Sequence, residues 1–201
     1  MKSKILSFCM LLPAMLLFGF AINNGIASCY LSFKSATDLS AARPDRLPGD
    51  TEKFRTVKTS DGEVQISQAD GYRILYHNKK NAPFVNLKVE LSDPASYEQD
   101  QKHLLAHLNY LNVNSQGMES KELMTLDYNG YKIYGLSRGS IDKGSTLGTF
   151  VMFPGNNTIV YFYFNNMTPE FRTFTNLDEY KAQRNLFLGE YTKHLAGCKE
   201  K

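Results

Sequence analysis

The run Thr158-Ile159-Val160-Tyr161-Phe162-Tyr163-Phe164 constrains this chain more than any other segment. Side chains alternate between the two faces of a strand. Here Ile159, Tyr161 and Tyr163 fall on one face and Val160, Phe162 and Phe164 on the other, so both faces are apolar. A strand of this kind cannot leave either side in water. It belongs in the interior of a sheet that is covered on both sides, and the rest of the chain has to supply that cover.

The segments before it read as more strands. Phe54 to Thr59, the turn Ser60-Asp61-Gly62 and Val64 to Ser67 form a hairpin pattern. Tyr72 to Tyr76 follows a second Asp-Gly turn. Val85, Leu87, Val89 and Leu91 then alternate with polar Asn86, Lys88 and Glu90, the pattern of a half-buried strand. From Lys121 onward four strands follow at short intervals: Lys121–Asp127, Tyr131–Arg138, Leu147–Phe153 and Thr158–Phe164. They are joined by Asn129-Gly130, a Gly-Ser-rich turn around Asp142 to Ser145, and Pro154-Gly155-Asn156-Asn157. Connections this short force antiparallel neighbours, a four-strand meander.

Two helical patterns provide the cover. Ser92-Asp93-Pro94 marks a helix start, with Asp93 as cap and Pro94 at the first helical position, and Leu104, Leu108 and Leu111 form a core stripe ending that helix. The second pattern begins at Thr175 and Asp178, spaced as a capping box. It carries Leu177, Tyr180, Arg184, Phe187, Leu188, Tyr191 and Leu195 to a stop near Gly197. One helix on each face gives an α+β fold: an α/β/α sandwich around a mostly antiparallel sheet, with the meander and a long C-terminal helix. This element order, with the Asn129-Gly130-Tyr131 and Phe153-Pro154-Gly155-Asn156 turns, resembles the Mog1/PsbP-like superfamily over about Phe54 to Ala196. The resemblance implies a binding, assembly or accessory role and transfers no catalytic motif.

The N-terminus reads as an address. Lys2 and Lys4 precede an apolar run from Ile5 to Ile22, broken by Pro13 and Gly19, and small residues follow at Ala27 and Ser28. This is the order of a secretory signal peptide, here spanning 1–28. Gly25-Ile26-Ala27 suits cleavage before Ser28, while Ile26-Ala27-Ser28-Cys29 resembles the lipobox of bacterial lipoproteins. Two readings of Cys29 therefore stand side by side. In one it carries a lipid thioether; in the other it pairs with Cys198, the only other cysteine after cleavage, in an oxidising compartment. Localisation follows as exported: periplasmic or membrane-anchored through Cys29, otherwise secreted. Residues 29–52 read as a linker or tether, since Ser32 to Asp50 mixes Ser, Thr, Asp, Arg, Pro and Gly with no apolar period. Residues 53–197 then form a single domain of ordinary size.

Composition excludes some roles. Removing Lys2 and Lys4 from 23 basic residues leaves 21 against 20 acidic ones, a balance with no electrostatic footprint for nucleic acid. Contact with a membrane is expected only through the signal or a lipid anchor.

Three constellations could carry chemistry. Gly135-Leu136-Ser137-Arg138-Gly139 fits G-x-S-x-G, and Asp178 and His194 follow in the chain order of α/β-hydrolases. That elbow requires a strand entering a helix, whereas the residues after Gly139 are turn-like and lead to another strand. Asp100, His103 and His107 lie on one face of the first long helix and could hold a metal, but Leu104 occupies the position of the glutamate in H-E-x-x-H. Gly139 to Gly144 has the outer spacing of a phosphate loop, with Ser145 where lysine is required. The Tyr161–Phe164 aromatics could form a ligand platform, but aromatic alternation in a central strand more often serves core packing. Asn156-Asn157-Thr158 and Asn166-Met167-Thr168 fit the glycosylation sequon, which matters only in a eukaryotic secreted protein. No catalytic residue, metal site or cofactor is assigned. The expectation is an exported, non-catalytic binding or accessory protein whose partner is another envelope protein or a small ligand. The alternatives are a serine hydrolase using Ser137, Asp178 and His194, or a metal-binding module using Asp100, His103 and His107.

Overall fold

The computed structural model describes residues 27–47, 54–115, 120–140, 145–166, 174 and 176–199. The expected signal segment before Ala27, the turn residues 141–144 and Thr175 lie outside the described residues. In chain order the elements are α1 (Ser28–Leu31), β1 (Ser40–Ala41), β2 (Asp45–Arg46), β3 (Phe54–Thr59), β4 (Gly62–Ser67), β5 (Asp70–His77) and β6 (Pro83–Leu91). They continue with α2 (Tyr97–Asn114), β7 (Ser120–Tyr128), β8 (Tyr131–Ser140), β9 (Ser145–Gly155), β10 (Thr158–Asn165) and α3 (Leu177–Lys199). The protein is α+β, mostly antiparallel sheet with a long C-terminal helix.

One eight-stranded sheet runs in the order β1–β5–β6–β10–β9–β8–β7, with β2 also pairing β5, and every pairing is antiparallel. β10 lies between β6 and β9, so the strand with two apolar faces is interior. Val160, Phe162 and Phe164 join a core with Phe187, Leu188, Tyr191 and Leu195 of α3. Ile159 and Tyr161 join a second core with Leu104 and Leu108 of α2 and with Val57 and Ile66. Burying each such side chain contributes about 1.5–3 kcal/mol, which is why both faces acquire cover.

That second core departs from expectation. β3 and β4 do not extend the large sheet; they form a separate hairpin, paired from Phe54↔Ser67 to Thr59↔Gly62, that shares the cover with α2. β6 is corrected in consequence. Its polar residues were expected in water, yet Glu90 is 1% exposed, because the row opposite it on β10 is apolar and the hairpin closes over both.

The N-terminal stretch is also corrected. As far as Leu47, the segment read as an unpacked tether is folded onto the sheet. Ser40 and Ala41 pair with His77 and Tyr76, and Asp45 and Arg46 pair with Arg73 and Tyr72 along the edge of β5. Phe33 is buried against Tyr76, Phe187 and Tyr191. Two buried hydroxyls hold the same segment: Tyr76 donates to the Phe33 carbonyl and Tyr191 to the Tyr30 carbonyl, each at 3.1 Å. Main-chain pairing to a sheet edge needs no hydrophobic period, so composition alone does not reveal it.

Helix ends differ by a few residues from the pattern. α2 begins at Tyr97 rather than Pro94, because Asp93 caps the turn before it, accepting from the Ala95 N–H at 2.8 Å. In α3 it is Asn176 that caps, its Oδ1 accepting from the Asp178 N–H at 2.7 Å. The Asn129-Gly130 turn has positive φ at both residues, 53° and 77°, as a tight hairpin requires.

Candidate functional site

A cavity of about 460 Å³ lies between α2, the β3–β4 hairpin and the sheet. Leu104, Leu108 and Leu111 of α2 form one wall. Leu147, Thr149 and Val151 of β9 and Tyr161 and Tyr163 of β10 form the floor, with Leu75 of β5 and Asn86 of β6 beside them. This size and this largely apolar lining suit a small ligand.

Polar groups sit at both ends of the cavity. At one end Arg55 of β3 stacks over the Tyr161 ring, its Cζ 4.4 Å from the centroid, and its Nε lies 3.4 Å from Glu90 Oε2. Tyr161 is 2% exposed. Burial pushes the Tyr161 hydroxyl far above the ordinary phenol range; Glu90 adds to that rise and Arg55 opposes it. Tyr163 shifts upward for the same first reason, burial. Both rings are therefore neutral at physiological pH. Burial also works against the Arg55 charge, but the neighbouring groups outweigh it and the guanidinium stays cationic.

At the other end stands Arg138 of β8. Its Nη1 donates to Ser115 Oγ at 2.9 Å, and that hydroxyl donates in turn to the Leu111 carbonyl. Lys121 stands directly across from Arg138 on β7 and donates to the Asn112 carbonyl at 3.2 Å. α2 has no basic residue in its last turn, so these two cations from the sheet meet the negative end of the helix. The Tyr161 hydroxyl and the Arg55 guanidinium share a side-chain hydrogen bond, whereas among the described residues Arg138 Nε and Asn86 Oδ1 are buried without a hydrogen-bond partner. Orphaned buried polar atoms are unusual in a folded protein, and here these two fall on residues lining one cavity.

Of the residues singled out from sequence, Tyr161, Tyr163 and Phe164 of the aromatic run and His107 line the cavity, and the rest lie elsewhere. Ser137 is buried in β8, while Asp178 and His194 occupy the first turn and the last two turns of α3. Sixteen residues of helix separate Asp178 from His194, about 24 Å at 1.5 Å per residue, so the three are not brought together. Asp100 is buried, and its Oδ2 accepts from Ser67, Ser92 and Ser96 hydroxyls at 2.8, 2.6 and 3.1 Å. His107 donates through Nδ1 to the Lys58 carbonyl at 2.7 Å, and His103 faces the Gln65 carbonyl. Asp100, His103 and His107 thus fasten α2 to the hairpin, and His107 also lines the cavity.

Cys29 and Cys198 form a disulfide, with Cα atoms 6.3 Å apart. In that state the Cys29 sulfur is not available for a thioether. His194 Nε2 donates to the Cys29 carbonyl at 3.0 Å and lies 3.8 and 3.9 Å from the two sulfurs. Among the described residues, no helix is long and apolar enough to cross a membrane.

Sequence reading misses Arg55, Glu90, Asn86 and Arg138 as site residues. The available signal was register. Asn86 and Glu90 share the face of β6 that meets Tyr163 and Ile159, so a covered aromatic face implied covered polar residues beside it. No protein-family model, curated protein or solved structure matches the chain.

Proposed function

We propose that this chain is an exported, non-catalytic binding protein whose single Mog1/PsbP-like domain holds a small ligand between α2 and the sheet. In this reading the domain is an α/β/α sandwich with β7 to β10 as its meander, and the β3–β4 hairpin acts as a rim of the binding cavity. The observation that carries the proposal is the pair of orphaned polar atoms on an apolar cavity, Arg138 Nε and Asn86 Oδ1. A ligand supplying the complementary groups would relieve a desolvation cost of about 1–3 kcal/mol per orphaned group. The Cys29–Cys198 disulfide supports the exported setting, since such bonds persist in oxidising compartments.

Fluorescence of 1-anilinonaphthalene-8-sulfonate tests the reading. The dye should brighten with wild-type protein, and Thr149→Trp, which fills the floor of the cavity, should abolish the signal while leaving the circular dichroism spectrum unchanged. Equal brightening in both proteins would place the dye elsewhere and remove the proposal.

A further inference from the structure

We infer that the cavity selects an anionic amphipath, a single-chain carboxylate, with the carboxylate at Arg138 and the apolar chain directed toward Tyr161. This rests on the binding reading above and adds the ligand's charge and orientation.

The two ends of the cavity differ electrostatically. Arg55 already has Glu90 as a buried counter-ion, and an anion brought there would face the Glu90 carboxylate at close range. Arg138 has no such partner: among the described residues no carboxylate pairs with it or with Lys121, its neighbour across the β7–β8 ladder. Like charges directly opposite on a ladder destabilise each other, and an anion bound at Arg138 would reduce that repulsion. Ser115 occupies Nη1 of Arg138, but Nε is buried and unsatisfied, leaving a donor on the residue that lines the cavity.

Register orients the rest of the ligand. Arg138 pairs with Leu147, and Leu147 pairs with Asn165 of β10, whereas Arg55 stands over Tyr161. Tyr161 and Asn165 are four residues apart, roughly 13 Å along a strand. The path between the two ends is bounded by Leu108, Leu111, Val151 and Tyr163. A volume of about 460 Å³ falls in the range of small-ligand sites, room enough for a medium-length acyl chain with its head group. At the far end the neutral Tyr161 hydroxyl and the matched Arg55–Glu90 pair offer no free charge.

Isothermal titration of the disulfide-bonded protein with decanoate and with decyl alcohol provides the test. Decanoate should bind at least about tenfold more tightly, since hydrogen bonds to a charged group are the stronger class. Arg138→Met should lower decanoate to the level of the alcohol and leave the alcohol unchanged. Arg138→Lys should recover part of the loss, and Lys121→Gln should weaken decanoate severalfold. Equal affinity of wild type for the two compounds would overturn the charge assignment while leaving a ligand-binding cavity intact. Binding of neither, with no response to Thr149→Trp, would remove the cavity reading as well. Should Arg138→Met fail to fold, the wild-type comparison and the Lys121→Gln series still decide the matter. Decanoate affinity that is unaffected by Lys121→Gln and no tighter than the alcohol's overturns the inference.

Discussion

Arg55 and Glu90 form a buried ion pair that joins the β3–β4 hairpin to the eight-stranded sheet, Nε to Oε2 at 3.4 Å, with Glu90 1% exposed. Removing one partner strands the other charge. Arg55→Met is therefore expected to destabilise the protein by about 3 kcal/mol. Arg55→Met combined with Glu90→Gln should recover most of that loss, because neither charge is then left without its partner. Urea unfolding of the four proteins of this double-mutant cycle measures the coupling; additive losses would show that the pair does not hold the hairpin.

Gly135 stands directly opposite Phe150 across the β8–β9 ladder, and a Cβ built at Gly135 would overlap the Phe150 ring. The glycine of the apparent G-x-S-x-G run is thus there to admit an aromatic ring. Gly135→Ala should cost about 1–3 kcal/mol through overpacking. Adding Phe150→Leu should make the alanine better tolerated, which thermal melts of the single and double variants would detect.

The disulfide closes a loop with a sequence separation of 169. Chain entropy assigns such a closure about 5 kcal/mol as an upper figure. Cys198→Ser should lower stability substantially and raise amide exchange first in residues 29–47. The intact mass of the wild-type protein should fall two hydrogens short of the reduced value. A lipid mass on Cys29 would instead exclude the bridge in that molecule.

Burial raises the pKa of Tyr76, Tyr161, Tyr180 and Tyr191. In the unfolded chain these phenols ionise near pH 10, so above that value the unfolded state releases protons that the folded state retains. Stability is full below pH 10 and falls as pH rises toward the higher folded values. Tyr76 and Tyr191 also lose the protons they donate to the Phe33 and Tyr30 carbonyls, so the N-terminal segment should detach in the same window. Tyrosinate absorbance should rise for these rings together with unfolding. Complete titration near pH 10 in a folded protein would contradict the burial argument.

What could be read from the chain and what could not divide along physical lines. The interior position of β10 was legible because two apolar faces admit no other place, and the Asn129-Gly130 hairpin because positive φ at both central positions suits those residues. α3 was legible from its spacing of Tyr180, Phe187, Tyr191 and Leu195. The folded segment 29–47 was not, since two strands of two residues each carry no period and Phe33 is a single aromatic anchor. The cavity was hidden for a different reason. Arg55, Arg138 and Tyr161 come from three different strands, and only the folding of the hairpin over the sheet brings them around one space.

The Cys29–Cys198 bond also decides how the protein would bear mechanical load. Tension applied from upstream of Cys29 to downstream of Cys198 crosses one covalent bond and bypasses every strand between them. The domain would therefore resist stretching as a stapled loop does, giving way only after a reductant opens the sulfur link.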